Sequence, residues 1–300
     1  MEGLRMLEIN NLEKTTPNKM LMASVNITLH EGEIFALVGE HDSGKSLLSK
    51  IILTLVTKTR GKIKIGANKF LGAFIPNERL MPRDTVLAVI KDYCRINDKT
   101  LNMKKAKNIL AVLNLRNNLH TRIYRLSTSQ VDRLKLALPL IVNADILILD
   151  APFTNLNPKE AKDLRVLLKK ISLELKTSII VTARHMSEIE EFCDTIGIID
   201  NGMIIAIKSY NEMIAKEFAQ AKLALTVAQP NYAAQIIENE LKLPTKLCGD
   251  QVIINTRPEN VQSVVDKLVE KNVTVLAANR AYRSLEFQYL QIINNRKNFY

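Results

Sequence analysis

The sequence predicts an α/β fold in which a mixed sheet, parallel in its core, is covered by helices. The first observation is the apolar run at residues 34–38, which leads through a glycine-bounded loop into an amphipathic segment typical of a helix. The second is the apolar run at 146–149, which ends at an aspartate and has the length of a buried strand. Around these runs strand-like and helix-like patterns alternate, which favours a covered, mainly parallel sheet.

The N-terminal part begins with strands and continues into helices. Residues 7–12 and 23–29 have strand patterns, and in the second segment apolar and polar residues alternate, which predicts a half-buried antiparallel sheet. Two more strands are predicted at 61–65 and 70–75. From residue 84 to 115 apolar residues recur at spacings of three and four, which predicts a helical insert.

The later elements alternate between helix and strand. We predict a helix at 131–142, a strand at 146–149, a helix at 158–175, a strand at 178–182 and paired strands at 195–200 and 203–206. Asn201 and Gly202 separate the last two strands. Because both residue types tolerate the positive φ of a tight turn, we expect a hairpin there.

The pattern changes near residue 220, which predicts two domains. The first covers residues 1–219, with a helical subdomain at about 84–143, and the second is a small α+β accessory domain at 220–300. In the second domain we expect a β-α-β-α-β order. Its predicted elements are 223–227, 233–241, 251–255, 258–270 and 273–277.

The loop after the first apolar run has the spacing of a phosphate-binding loop. Gly39 is followed by four residues and then by Gly44, Lys45 and Ser46, at the start of a predicted helix. Backbone N–H groups and the helix dipole favour an anion there, Lys45 would reach the β- and γ-phosphates, and Ser46 would ligate Mg²⁺. An ordinary turn with chance glycines is the alternative, and the flanking strand and helix favour the phosphate loop. The candidate binding residues are Gly39, Glu40, His41, Asp42, Ser43, Gly44, Lys45, Ser46 and Leu47.

Composition narrows the class of protein. The 300 residues, 47% of them hydrophobic, can bury a sizeable core, and no apolar run approaches the length of a membrane span. The N-terminus lacks the apolar core of a signal peptide, which predicts a cytosolic protein. Cys94, Cys193 and Cys248 are widely separated and match no metal-ligand spacing, so we expect reduced thiols and no zinc site.

The net charge of +11 is concentrated in one segment. Residues 91–135 contain eleven Lys or Arg residues against three Asp. One interpretation is a solvated helical face, and the other is attraction to anionic lipid or to an acidic partner. Nucleic acid is disfavoured as a partner because Trp is absent and no basic stretch is interleaved with stacking aromatic residues.

A second nucleotide motif follows the loop by about a hundred residues. Asp150 ends an apolar strand, and its carboxylate would hold the Mg²⁺ that Ser46 also ligates. Together with Leu126-Ser127-Thr128-Ser129-Gln130, Asp150-Ala151-Pro152 and Leu156-Asn157-Pro158, the order resembles the ATP-binding subunits of ABC transporters over about residues 7–215. The segment 283–290 looks like the C-terminal extension of the bacitracin, lantibiotic and multidrug exporter subfamily, a less specific match.

This resemblance implies an ABC-type nucleotide-binding domain that uses ATP and Mg²⁺ and works as a head-to-tail dimer. In such a dimer the ATP on one subunit's phosphate loop is closed over by the partner's signature motif, here Ser127, Thr128, Ser129 and Gln130. A second ATP-binding subunit, identical or different, and an integral membrane permease subunit are the implied partners. The implied location is cytoplasmic, peripheral on the inner face of the cell membrane.

Several positions depart from the family pattern. Ala151 stands where the family has the glutamate that acts as general base, and it can take no proton. Asn77 replaces the Q-loop glutamine and Asn157 replaces the D-loop aspartate. Thr128 and Ser129 replace two signature glycines, and their Cβ atoms would obstruct close approach of backbone to the γ-phosphate.

The switch histidine of the family has two candidate counterparts. The flanking residues align Arg184 with the histidine position and leave His185 one residue late, where a strand-end side chain would point the other way. His185 is therefore either a substitute switch or an ordinary surface residue.

Two further departures concern nucleotide binding. Thr15 or Thr16 stands where an aromatic ring usually stacks on adenine, and neither His41 nor Tyr210 can be assigned that role. Asp42 would repel phosphate unless its carboxylate turns outward.

These changes predict Mg-ATP binding without efficient turnover by this chain alone. The leading hypothesis is an ATP-binding subunit of an ABC-type exporter for drugs, peptides or bacteriocins, which couples dimer closure to a separate membrane subunit. The alternative is a regulatory or assembly subunit that binds ATP without hydrolysing it. An ABC protein acting on ribosomes or DNA is disfavoured, because the chain has one phosphate loop and no long coiled-coil insert.

Overall fold

A computed structural model describes residues 4–75, 80–219, 222–255, 260–281 and 285–297. The chain divides into two compact units, Met1–Ser209 and Tyr210–Tyr300. This division lies one helix before the predicted boundary at residue 220. Among the described helices, none is both long enough and apolar enough to cross a membrane.

The central sheet of the first unit is the mainly parallel sheet that the sequence predicts. Its order is β5-β6-β7-β3-β8-β9, and only β9 runs antiparallel to its neighbour. Every residue of β3, β6 and β7 is buried, which explains why β3 and β6 are continuous apolar runs, whereas β7 also contains the buried polar residues Ser178 and Thr182. Its strands are β3 (Ile34–Val38), β5 (Leu71–Phe74), β6 (Ile146–Leu149), β7 (Ser178–Ala183), β8 (Thr195–Asp200) and β9 (Met203–Ser209).

A smaller antiparallel sheet packs beside the central one. It consists of β1 (Arg5–Thr16), β2 (Lys19–His30) and β4 (Arg60–Ile65), in the order β2-β1-β4. In β2 the alternating apolar residues are buried and the polar residues between them are exposed, as predicted. Its buried face joins β3, β6 and the first helix, α1 (Lys45–Ile52), in one core.

The helices of the first unit follow the predicted order. After α1 they are α2 (Val86–Ile96), α3 (Met103–Val112), α4 (Thr128–Ile141) and α5 (Pro158–Leu175). Helix α4 begins three residues before its predicted start at 131, because Ser127 caps it: the Ser127 hydroxyl accepts from the Gln130 N–H. Within the described part of this unit, short 3₁₀ turns also lie at Arg116–Asn118, Ile123–Arg125 and Met186–Glu188.

The second unit is a four-stranded antiparallel sheet with two crossover helices. Its β-α-β-β-α-β order and its strand order, β11-β12-β10-β13, are those of a ferredoxin-like module. Its elements are α6 (Tyr210–Ala219), β10 (Lys222–Val227), α7 (Pro230–Glu240), β11 (Thr245–Cys248), β12 (Gln251–Asn255), α8 (Val261–Glu270), β13 (Val275–Ala281) and α9 (Leu285–Lys297).

The edge strand β11 is absent from the sequence prediction. None of its four side chains is buried, so no apolar alternation marks it. The core of this unit lies between the other strands of the sheet and helices α7 and α8. It contains Leu225, Ile237, Val252 and Leu268. Helix α9 includes the described part of the segment that resembles the exporter subfamily, and Arg283 and Ser284 lie outside the described residues.

Candidate functional site: a phosphate loop at the carboxyl edge of the sheet

The predicted site residues follow three neighbouring parallel strands. The phosphate loop follows β3, Asp150 follows β6, and Arg184 follows β7. In the register of the sheet Val38 pairs with Ala183 and Leu149 pairs with Val181. Because parallel strands end at the same edge, the sheet brings distant parts of the sequence to one place.

The backbone of the loop has the shape of an anion-binding concavity. Asp42 and Gly44 have φ angles of 60° and 107°, both in the left-handed region, and Gly44 is the N-cap of α1. Alternation between left- and right-handed residues turns successive N–H groups toward a common centre. The geometry therefore supports the phosphate-loop interpretation over an ordinary turn.

Lys45 is folded into this loop. Its Nζ donates to the Gly39 and Glu40 carbonyl oxygens at 2.7 and 2.6 Å and to the Ser43 hydroxyl at 3.1 Å, and the residue is only 8% exposed. Burial lowers the pKa of Lys45, and the negative charge of Asp150 partly opposes that shift. The loop thus encloses a buried ammonium group that is hydrogen-bonded to the loop's own backbone.

Asp150 is positioned by a residue that sequence reasoning missed. The Thr182 hydroxyl donates to Asp150 Oδ1 at 2.8 Å and accepts from the Ala151 N–H at 2.8 Å. Asp150 is 3% exposed and Thr182 is fully buried. The sequence feature that could have indicated this role is that Thr182 is a polar residue near the end of the otherwise mostly apolar strand β7.

Two cavities meet at this edge. The first, here called the loop cavity, has a volume of about 380 Å³ and is lined by residues 41–47 together with Asp150, Thr182 and Arg184. The second, here called the Ala151 cavity, has a volume of about 260 Å³, and Asp132, Arg133 and Asn155 line it but not the loop cavity. The cavities share Ser46, Asp150, Ala151 and Arg184.

The wall of the loop cavity includes residues that the sequence did not indicate. Lys19, Met20 and Leu21, at the start of β2, line it, as do Asn201 and Gly202 of the β8–β9 turn. In the sequence these five residues form no binding motif, and only the fold brings them to the loop.

The threonines considered for the adenine position do not line this cavity. The Thr15 hydroxyl donates to the Thr59 hydroxyl, and the Thr16 hydroxyl donates to the Lys19 carbonyl oxygen. The exposed side chain of Met20 lines the cavity instead.

The carboxylate of Asp42 faces outward. Its side chain is 90% exposed and lies 2.9 Å from the Nδ1 atom of His41. This orientation removes most of the repulsion that a carboxylate inside the loop would exert on phosphate.

The altered catalytic positions have distinct surroundings. Ala151 lines both cavities and has a φ of 49°, which is unusual for a residue with a Cβ atom. Asn157 lines neither cavity: its side chain caps α5 by accepting from the Glu160 N–H, and Glu160 accepts the Asn157 N–H in return. Asn77 lies outside the described residues.

The signature segment lies away from the loop of its own chain. Ser127 and Gln130 form the capping box of α4, and the Ser129 hydroxyl donates to the Asn155 carbonyl oxygen at 3.4 Å. None of the residues 127–130 lines either cavity. Within one chain, then, this segment and the phosphate loop do not form a common site.

The geometry separates Arg184 from His185. Arg184 lines both cavities, whereas His185 is exposed and lines neither. Successive residues leaving a strand point in opposite directions, so the one-residue difference in sequence decides which side chain faces the site.

Comparison with known proteins assigns the chain to a family. The family model described as ABC transporter matches residues 22–154. The lantibiotic transport ATP-binding protein SrtF of Streptococcus pyogenes is 30% identical over 216 residues, which cover 69% of this chain and 92% of SrtF. The chain therefore belongs to the ATP-binding proteins of ABC transporters, a family whose nucleotide-binding domains bind ATP.

Two further similarities cover different extents of the chain. The uncharacterized ABC transporter ATP-binding protein YhcH of Bacillus subtilis is 26% identical over 301 residues, covering 97% of both chains. The solved dimeric structure of MJ0796, a bacterial ABC transporter cassette, superposes with a TM-score of 0.62 at 22% identity and covers 68% of this chain and 98% of that one. The cassette fold is thus confirmed, and the similarity to YhcH extends through the second unit.

Proposed function

We propose that this chain binds Mg-ATP in the loop cavity and is the ATP-binding subunit of an exporter whose membrane-spanning part is a separate protein. The observation that carries the proposal is the convergence of Lys45, Ser46 and Asp150 on one cavity, beside an Ala151 that has no proton acceptor. Such a site is equipped to hold nucleotide and poorly equipped to activate water.

The residues present fit a magnesium nucleotide. Lys45 and the N-terminus of α1 supply positive charge for the phosphates, and the Ser46 hydroxyl and the Asp150 carboxylate supply two oxygen ligands for Mg²⁺. Among the described residues no group of three or more His, Cys, Asp or Glu side chains could hold a metal ion. We therefore infer that Mg²⁺ binds together with the nucleotide, whose oxygens would complete its coordination.

Hydrolysis is proposed to be weak or to depend on a partner. Loss of a general base typically lowers the rate by about 10²–10⁴, and in this chain Ala151 is accompanied by the replacements at Asn77, Asn157 and Arg184. The same observation favours a second candidate function, an ATP-gated regulatory or assembly subunit that does not hydrolyse ATP. The two candidate functions are distinguished by measuring whether the assembled complex releases phosphate from ATP.

The exporter assignment and the membrane-side location are parts of the proposal. The name of SrtF, a lantibiotic transport protein, supports a drug, peptide or bacteriocin cargo. In the helical insert Lys104 and Lys107 are exposed, as attraction to anionic lipid or an acidic permease segment requires. We therefore place the chain in the cytoplasm, peripheral on the inner face of the membrane, together with a permease and a second ATP-binding subunit.

Replacement of Lys45 tests nucleotide binding. Wild type should be stabilised against thermal unfolding by Mg-ATP, by about 2.7 kcal/mol at a nucleotide concentration 100 times the Kd, and Lys45→Ala should lose this stabilisation. Lys62, exposed on β4 and remote in sequence from the loop, provides the control: Lys62→Ala should respond to Mg-ATP like wild type. A wild-type protein whose melting temperature does not change with millimolar Mg-ATP would contradict the proposal.

A further inference from the structure

A groove between helices α3 and α5 lies apart from the nucleotide site. It has a volume of about 580 Å³ and shares no lining residue with the loop cavity or the Ala151 cavity. On each helix the lining residues recur at spacings of three and four, so each helix contributes one of its faces. Asn143, in the segment that leads into β6, also lines the groove.

The walls of the groove are largely apolar, and part of that apolar surface is open to solvent. Val166 is 63% exposed and Leu175 is 50% exposed. Covering such side chains removes apolar area from water and is favourable. The groove therefore suits a ligand with an apolar body. Its apolar lining consists of Ile109, Val112, Val166, Leu167, Ile171 and Leu175.

Lys105 lines the same groove and lacks an anionic partner. Its Nζ donates to Asn143 Oδ1, and the residue is half-buried. Burial lowers the pKa of Lys105 to about 8. Among the described residues no carboxylate forms an ion pair with it. A partly desolvated ammonium group is costly without a counterion, so an anionic ligand would relieve this cost.

The ends of the two helices give the groove a polarity. Asn114, just after α3, donates to Glu160 at the start of α5, so the two helices run in opposite directions. Lys105, in the first turn of α3, therefore lies toward the end of α5, where the Thr177 hydroxyl donates to the carbonyl oxygen of Ala144. The cation is thus at one end of the groove.

The carboxylates of the groove do not neutralise this end. Glu174 lies 3.9 Å from Lys170 on the same helix, and both side chains are exposed. Asp163 lines the groove from the first two turns of α5, which is the end remote from Lys105. The charge that faces a ligand beside Lys105 is therefore positive.

We propose that this groove binds a fatty acid, whose carboxylate pairs with Lys105 and whose alkyl chain lies between α3 and α5. The path along α3 from Lys105 to Val112 is two turns, roughly 10 Å, which suits a chain of medium length. An apolar cavity of this size with few polar groups is typical of small-molecule sites. The inference goes beyond the proposed function and does not depend on nucleotide binding.

The first test concerns the head group. Affinities of the full-length protein for decanoate and for decyltrimethylammonium, which carries the same alkyl chain on a cation, are measured by calorimetry. Wild type should bind decanoate at least about 10-fold more tightly than the cation, and Lys105→Met should weaken decanoate binding by roughly 10–100-fold, the range expected for one charge-assisted contact. Lys104→Met is the matched control, since Lys104 is exposed on the same helix and does not line the groove.

The second test concerns the alkyl chain and does not use a variant of Lys105. Val166→Asp should weaken decanoate binding by about 10-fold or more, because it places a carboxylate in the apolar wall. Leu173→Asp is the matched control: Leu173 is 58% exposed on the same helix and does not line the groove. Melting temperatures without ligand establish that each variant is folded.

Four results would each overturn the assignment. They are no binding of decanoate by wild type at millimolar concentration, equal affinities for decanoate and decyltrimethylammonium, equal effects of Lys105→Met and Lys104→Met, and equal effects of Val166→Asp and Leu173→Asp. The last three would mean that the amphiphile adsorbs to the surface without a defined site.

Discussion

At the scale of single residues, several side chains of the motif segments have structural roles. Asn157 caps α5 and Ser127 caps α4, each in a reciprocal capping box. Asp42 occupies a left-handed position that Asp tolerates better than most residues with a Cβ atom, and its carboxylate is directed to solvent. The backbone of the phosphate loop and the starts of α4 and α5 are therefore stabilised by these residues, and Ala151 beside the loop offers no proton acceptor.

Ala151 permits a prediction about catalysis. Ala151→Glu would add a carboxylate at a position that lines both cavities, and because one residue with a Cβ atom replaces another, the positive φ is no harder to adopt. We expect steady-state phosphate release to stay below the ordinary range of about 1–100 s⁻¹, since the replacements at Asn77, Asn157 and Arg184 remain and a base by itself does not position the attacking water. Ala151→Gln, with nearly the same shape and no base, is the control. Turnover of Ala151→Glu at an ordinary rate would mean that only the base was missing.

At the scale of secondary-structure elements, the β8–β9 hairpin braces the phosphate loop. The Gly202 N–H donates to the Ser43 carbonyl oxygen at 2.9 Å, and the Gly202 carbonyl oxygen accepts from the Ala23 N–H at 3.0 Å. Gly202 has a φ of 75°, and a Cβ atom there would lie 2.1 Å from the Leu21 carbonyl oxygen. The turn therefore connects the loop to β2 through contacts that only glycine allows.

Replacement of this glycine should weaken nucleotide binding. Gly202→Ala is expected to destabilise the first unit by about 2 kcal/mol or more, because backbone must move to relieve the contact with Leu21, and to lower Mg-ATP affinity by displacing Ser43. Gly249→Ala is the matched control: Gly249 also has a positive φ, 62°, but a Cβ atom there meets nothing within 4 Å. The measurements are thermal unfolding and nucleotide affinity. Equal effects of the two substitutions on Mg-ATP binding would argue against the brace.

At the scale of the whole molecule, the signature segment and the phosphate loop line no common cavity within one chain, although the family resemblance implies that both contact the same nucleotide in a dimer. Residues 127–130 line neither cavity, whereas Lys45, Ser46 and Asp150 line the loop cavity. In the proposed head-to-tail dimer each nucleotide would lie between one chain's loop and the other chain's signature segment. A homodimer of this chain would therefore have Ala151 in both sites.

We predict that hydrolysis requires a second, different ATP-binding subunit and occurs at that subunit's base. One site of such a heterodimer would combine the partner's base with this chain's Ser127, Thr128, Ser129 and Gln130. In the assembled complex, removal of the partner's base should abolish phosphate release, and Lys45→Ala in this chain should have a smaller effect. Purified homodimer that hydrolyses ATP at full speed would contradict both the heterodimer and the argument from Ala151.

The sequence by itself determined the elements whose signals are local. The apolar runs predict β3 and β6, the spacing from Gly39 to Ser46 predicts the phosphate loop, and the periodicity that begins at Pro158 predicts α5 with its observed bounds. These features could be predicted because burial of a strand, the turn into a helix and helix capping each depend on residues close together in the chain.

Only the tertiary structure decided which distant groups face the loop. Thr182 donates a hydrogen bond to Asp150, and Met20 and Arg184 line the loop cavity whereas His185 does not. The edge strand β11 likewise forms through pairing with β12, without an apolar pattern of its own. These cases have one physical reason. Strand register and the alternation of side chains along each strand determine which residues meet at the edge of a sheet. Neither can be deduced from residues that are close together in the sequence.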